Sequence, residues 1–282
     1  MVDTVIDHLH DDRQALAAAA LVSRSWVSAS RYHLFSTLQA SNFNVKLLCE
    51  LLDNPHCTFT SLVKELQLET LHTASSLTRA QPLSGSMDFL VPHLKKFVSI
   101  RKLHASGLYV PIDWASLLKA TSFTTRITQL WLCSIRLESF KCWMDILRSF
   151  PSMVKLRYGD SHGNLDSRWG DATLPSDVDW TLPPSLRELE LESYGTCPVQ
   201  QAWSQHMWLW LLRSQVRLDT IQLKSLVFMP TDADAERTLD PFSKYLRFLG
   251  PSLKQLRLAF KDKHSISTYS PSKMYFNLPW LT

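Results

Sequence analysis

Three groups of residues in this chain are of types that could do chemistry. His8, His10, Asp11 and Asp12 lie within five positions, with donor atoms suited to a metal ion. Asp160, His162 and Asp166 gather in a polar stretch and could serve as acid, base or metal ligands. Cysteines stand at 49, 57, 133, 142 and 197. None of the three has the spacing its chemistry needs. The first group falls where a helical period breaks, so it reads as a solvated edge. The second lies in a loop-like stretch, where such residues collect anyway. The cysteines are odd in number and contain no CxxC pair, so neither a disulfide framework nor a zinc site is expected. Cys49 and Cys142 sit on helical periods and read as small core residues. Trp203, Trp208 and Trp210 crowd one helix, a packing arrangement rather than a ligand box. No nucleophile elbow, GxGxxG or GxxxxGK[ST] pattern is present, and glycine is scarce at 7 residues. No catalytic residue, metal ligand or cofactor is therefore assigned, and the chain is not expected to be an enzyme.

The elements that position these residues follow one repeated pattern: apolar, two others, apolar, one other, apolar. It appears as FSTLQA (35–40), VKELQL (63–68), IRKLHA (100–105), ITQLWL (127–132), MVKLRY (153–158), LRELEL (186–191), LDTIQL (218–223) and LKQLRL (253–258). Three copies share the lead-in Pro151-Ser152, Pro184-Ser185 and Pro251-Ser252. A period of 20–50 residues signals a stack of like units. The alternation inside each copy predicts a strand with one buried face. Helical periods separate the strands at 43–52, 87–98, 112–120, 138–150, 202–213 and 241–250, with Pro92 expected to break or kink the second. Residues 159–182 carry no period and read as a long polar loop. The alternating strand polarity argues against a sheet buried on both faces.

Before the repeats, Val2, Val5, Ile6 and Leu9 recur at helical spacing. Asp11-Asp12 interrupts them, an Ala-rich helix runs from Arg13 to Val22, and Ser23 is the predicted cap of a third helix carrying Trp26. Three helices in about thirty residues bury little surface alone and need a neighbour to pack on.

The LxxLxL core resembles the leucine-rich-repeat family. LQLETL, LWLCSI, LELESY and LRLAFK lack the Asn that usually follows, so an irregular repeat is expected. The segment Ile6-Asp7-His8-Leu9, Asp11-Asp12, Leu16, then Leu21-Val22-Ser23-Arg24-Ser25-Trp26, resembles an F-box, and the pairing with irregular repeats is similar to large fungal F-box families. F-boxes open with Leu-Pro-x-Glu, whereas this chain opens Met1-Val2-Asp3-Thr4; its first segment is read as missing. Loss of one large apolar anchor there would forfeit about 1.5–3 kcal/mol of burial.

The expected architecture is α/β: a short three-helix F-box (1–34) followed by an irregular leucine-rich-repeat-like solenoid (35–282). The resemblance implies a non-enzymatic substrate-recognition subunit of an SCF-type ubiquitin ligase. Leu9, Leu16, Leu21, Val22, Arg24 and Trp26 belong to the unit that would dock a Skp-type adaptor, and through it a cullin–RING ligase. The outward residue of each strand forms a ridge for a substrate protein: Gln67, His104, Trp131, Arg157, Glu190, Gln222 and Arg257. A second reading is a repeat scaffold whose F-box is vestigial. The net charge of +4 is well mixed, with no basic run, so no nucleic-acid partner is expected. No apolar run approaches the roughly 18 residues of a membrane span, and no secretory signal is read. An intracellular protein, cytoplasmic and/or nuclear, is expected.

Overall fold

A computed structural model of the chain describes residues 2–69, 89–107, 121–135, 140–160, 182–193, 207–226, 232–260 and 273–276. The fold is mixed α/β, with an N-terminal helical region followed by a sheet containing eight parallel strands.

The first three helices are α1 (Val2–His8), α2 (Arg13–Val22) and α3 (Arg24–Ser36). The acidic break between α1 and α2 is a helix start. The Asp12 carboxylate accepts from the amides of Gln14 and Ala15 at 3.0 and 2.9 Å, satisfying donors that the first turn leaves free. Ser23 does the same for α3, accepting from the Ser25 amide. Ile6, Leu16 and Ala19 form a small core, against which Leu9, Trp26, Ala29 and Leu34 pack. His33 Nε2 lies 2.8 Å from Asp7, tying α3 to α1.

The end of α3 belongs to the second core. Phe35 stacks on Phe59 with ring centroids 4.8 Å apart. Arg31 donates to the Thr58 hydroxyl at 2.6 Å, and Lys64 reaches the Tyr32 hydroxyl and ring. These contacts hold Phe35 and Ser36 in the helix, so the first strand begins at Thr37 rather than Phe35. One continuous helix thus joins the two units.

The strands are β1 (Thr37–Ser41), β2 (Glu65–Glu69), β3 (Lys102–Ser106), β4 (Gln129–Cys133), β5 (Lys155–Asp160), β6 (Glu188–Ser193), β7 (Thr220–Leu226), β8 (Gln255–Phe260) and β9 (Lys273–Phe276). Each pairs with the next in the chain. All pairs are parallel except β8–β9. The three apolar positions of the repeat share one fate. Val63, Leu66 and Leu68 are buried together, as are Ile100, Leu103 and Ala105, and Ile127, Leu130 and Leu132. They meet Leu48 and Leu52 of helix α4 (Val45–Asp53), Leu94, and Trp143 and Leu147 of the helix Phe140–Arg148 in one continuous core.

The backbone joins successive units by a ladder of its own. The carbonyl just before each of β2 to β7 accepts two amides of the next unit: Lys64 from Arg101 and Lys102, Arg101 from Thr128 and Gln129, Thr128 from Val154 and Lys155, and so on to Asp219. In the shared lead-in, the Ser185 hydroxyl donates to the carbonyls of Pro151 and Met153. The free edge of β1 is blunted by Asn44, whose amide donates to the Gln39 carbonyl while its oxygen accepts from the Ser41 amide. An edge so occupied is a poor template for another chain.

Two expected helices differ. Residues 91–96 form a 3₁₀ helix with Pro92 in its first turn, where a missing amide costs nothing. The helix expected at 241–250 spans Asp232–Leu249, with Pro241 inside it. Its first half is polar and carries no apolar period to read. It ends at Gly250, whose φ of +46° suits a residue without Cβ. The helix at 112–120, the bulk of the 159–182 loop, Trp203 and most of 274–281 lie outside the described residues.

Burial sets the sign of a core test. Leu130→Ala should cost about 2–5 kcal/mol in urea unfolding, whereas Gln222→Ala, on the outward face, should stay within about 0.5 kcal/mol.

Candidate functional site

The outward residues of the strands fall into one register row. Gln67 pairs with His104, His104 with Trp131, Trp131 with Arg157, Arg157 with Glu190, Glu190 with Gln222, and Gln222 with Arg257. Gln39 of β1 extends the row by one. It holds the same central slot in FSTLQA and was legible there.

Parallel strands stand about 4.8 Å apart, so unlike residues in one row meet face to face. His104 and Trp131 stack with centroids 3.9 Å apart and planes 8° from parallel. The Arg157 guanidinium covers the other face of Trp131 at 3.8 Å. Its Nη2 donates to Glu192 at 2.9 Å, and its Nε lies 3.1 Å from Glu190. Lys155 lies 3.3 Å from Glu188 and 3.9 Å from Glu190. Both faces of the indole are therefore occupied, and Trp131 is not a platform on which a ligand ring could stack. Glu190, read as a ridge residue, is only 6% exposed because these cations close over it.

A shallow depression of about 250 Å³ opens in front of this column. Lys102, Gln129 and Lys155 line it beside His104, Trp131 and Arg157. Toward one end of the row, Gln39 donates to Glu69 and Gln67 to Glu65, both at 2.7 Å, and at the other Arg257 stands exposed. Glu192, which fixes Arg157, was missed by sequence reasoning because it lies one step beyond the alternating triplet.

The imidazole nitrogens of His104 and the indole N–H of Trp131 are buried with no hydrogen-bond partner among the described residues. Burial pushes the His104 pKa below its ordinary value. Arg157 acts in the same direction, and Glu69 and Glu65 oppose it. Folding thus favours the neutral form of His104.

The six residues assigned to the N-terminal unit divide in two. Leu16 is fully buried, and Leu9 and Trp26 pack on the same small core. Leu16 therefore holds the unit together and has no surface to offer a partner. Leu21 and Val22, at the end of α2, are 89% and 69% exposed. Arg24 is exposed beside them.

Among the described residues, no group of three His, Cys, Asp or Glu side chains could hold a metal ion. No helix there is long and apolar enough to cross a membrane. No family model matches the chain, and a search of curated proteins finds no match.

His104 makes stability depend on pH. Its unfolded form takes up a proton near pH 6.5, whereas its folded form resists. Stability should be full above that pH and fall as pH drops through the window below it. Urea unfolding at pH 7.5 and 5.5 checks this: His104→Gln should remove part of the acid-induced loss.

Proposed function

We infer that the chain is a substrate-recognition subunit of an SCF-type ubiquitin ligase. The N-terminal helices dock a Skp-type adaptor, and the outward face of the sheet holds a substrate protein. The observation that carries this reading is the pair Leu21 and Val22. They stand exposed at the α2–α3 junction of a unit whose own core is already filled. A large exposed apolar pair on so small a unit marks a contact surface. It lies in the segment Leu21-Val22-Ser23-Arg24-Ser25-Trp26, on which the F-box resemblance rests.

The second support is the joint. Because α3 enters both cores, a partner docked on the helices is held at a fixed orientation to the open face. Such an arrangement needs no chemistry of its own. It acts by raising the effective concentration of a bound substrate near a ubiquitin-charged enzyme.

A pull-down of the full chain with a Skp-type adaptor tests the reading. Binding is expected, and Leu21→Glu with Val22→Glu should abolish it while leaving the far-UV spectrum unchanged, since both side chains are exposed. Failure of the unaltered chain to bind, even with a Leu-Pro-x-Glu segment placed before it, would favour a repeat scaffold with a vestigial F-box.

A further inference from the structure

The end of the sheet where the strands begin carries a line of positive charge, of which only Lys102 and Lys155 also line the depression beside the ridge. Each of β2 to β8 brings a basic residue to within four positions of its central apolar residue: Lys64, Arg101 with Lys102, Arg126, Lys155, Arg187, Arg217 and Lys254. Three acids share this rim, and each meets a lysine. Glu65 lies 3.9 Å from Lys102, Glu188 3.3 Å from Lys155, and Asp219 3.2 Å from Lys254. Lys64, Arg101, Arg126, Arg187 and Arg217 touch no carboxylate among the described residues. The rim thus holds a formal excess of five positive charges in a chain whose net charge is +4.

Several of these groups are held in place without being neutralised. Arg101 donates to the Ile100 carbonyl at 2.8 Å, Arg126 to Phe97 at 3.4 Å, and Arg187 to Pro184 and Leu186 at 3.0 Å. Lys64 leans on Tyr32, and Arg217 lies over Phe248 at 5.8 Å. Carbonyls and rings fix the side chains but leave their charge intact. The cations follow the strand spacing of about 4.8 Å, so the line from β2 to β8 runs about 29 Å. A guanidinium fixed by one N–H has others free for a carboxylate.

We propose that this rim is a docking surface for an acidic segment of a partner protein, rich in Asp and Glu. The three interspersed acids favour a polypeptide over a nucleic acid. A protein segment can set a Lys against Glu65, Glu188 or Asp219, whereas a phosphate backbone has only negative groups to present. The surface shares no residue with the pair Leu21 and Val22, and the proposal does not depend on the adaptor reading.

Fluorescence polarisation with the full chain tests it, using a labelled twenty-residue polyglutamate as probe and a twenty-nucleotide oligothymidylate as comparison. Polyglutamate should bind, more weakly at 150 mM than at 50 mM salt. Arg101→Glu with Arg187→Glu should weaken it at least tenfold. Arg101→Lys with Arg187→Lys, which keeps the charge, should stay within about threefold, and thermal melts confirm that both variants fold. Lys46→Glu, a charge reversal on α4 beyond the opposite end of β1, should change it less than twofold. No polyglutamate binding, an equal loss with Lys46→Glu, or tighter binding of the oligothymidylate would each overturn the proposal.

Discussion

Every feature of this molecule depends on three apolar positions per repeat being buried from one side only. In VKELQL these are Val63, Leu66 and Leu68, and the same positions are filled in each later copy. A single strand with its connection cannot shield them. Each unit therefore needs the next, and the sheet grows in chain order. The row of carbonyls that accept two amides each fixes the step from unit to unit. Register follows from the pattern, since a slip of one residue would turn Leu66 and Leu68 outward.

The same constraint creates the functional face. Residues between the buried ones must point outward, and fixed register sets them side by side. His104, Trp131 and Arg157 are separated by more than twenty residues in sequence and by one strand spacing in space. Stacking and ion pairing then turn three independent side chains into one column. Its cost is a set of buried ring nitrogens without partners among the described residues, and this burial disfavours the charged form of His104 and ties the column to pH.

Much of this was legible in the sequence because period-two alternation reports which way a side chain points. The ridge from Gln67 to Arg257 came from that alternation alone, and Asp12 and Ser23 announced their helices by residue type and place. What alternation does not carry is contact. Nothing local says that Arg157 covers Trp131, or that Lys155 and Arg157 bury Glu190. Leu16 and Leu21 look alike in an apolar run, yet one fills the small core and the other faces outward. Phe35 fits the strand motif, but its partner Phe59 lies 24 positions away, and their stacking keeps it helical. The basic rim was also hidden, because its residues are evenly spread in sequence and converge only when the strands align.

The central claim is that the strands stand side by side in chain order. The most direct measurement is a pulsed electron-spin distance between labels placed through keto amino acids at 67 and 222, which leaves the native cysteines untouched. Those positions lie on β2 and β7, five strand steps apart, so a single population near 24 Å between backbones is expected. A peak beyond about 35 Å, or one near the roughly 5 Å of adjacent strands, would contradict the order on which the ridge and the rim both rest.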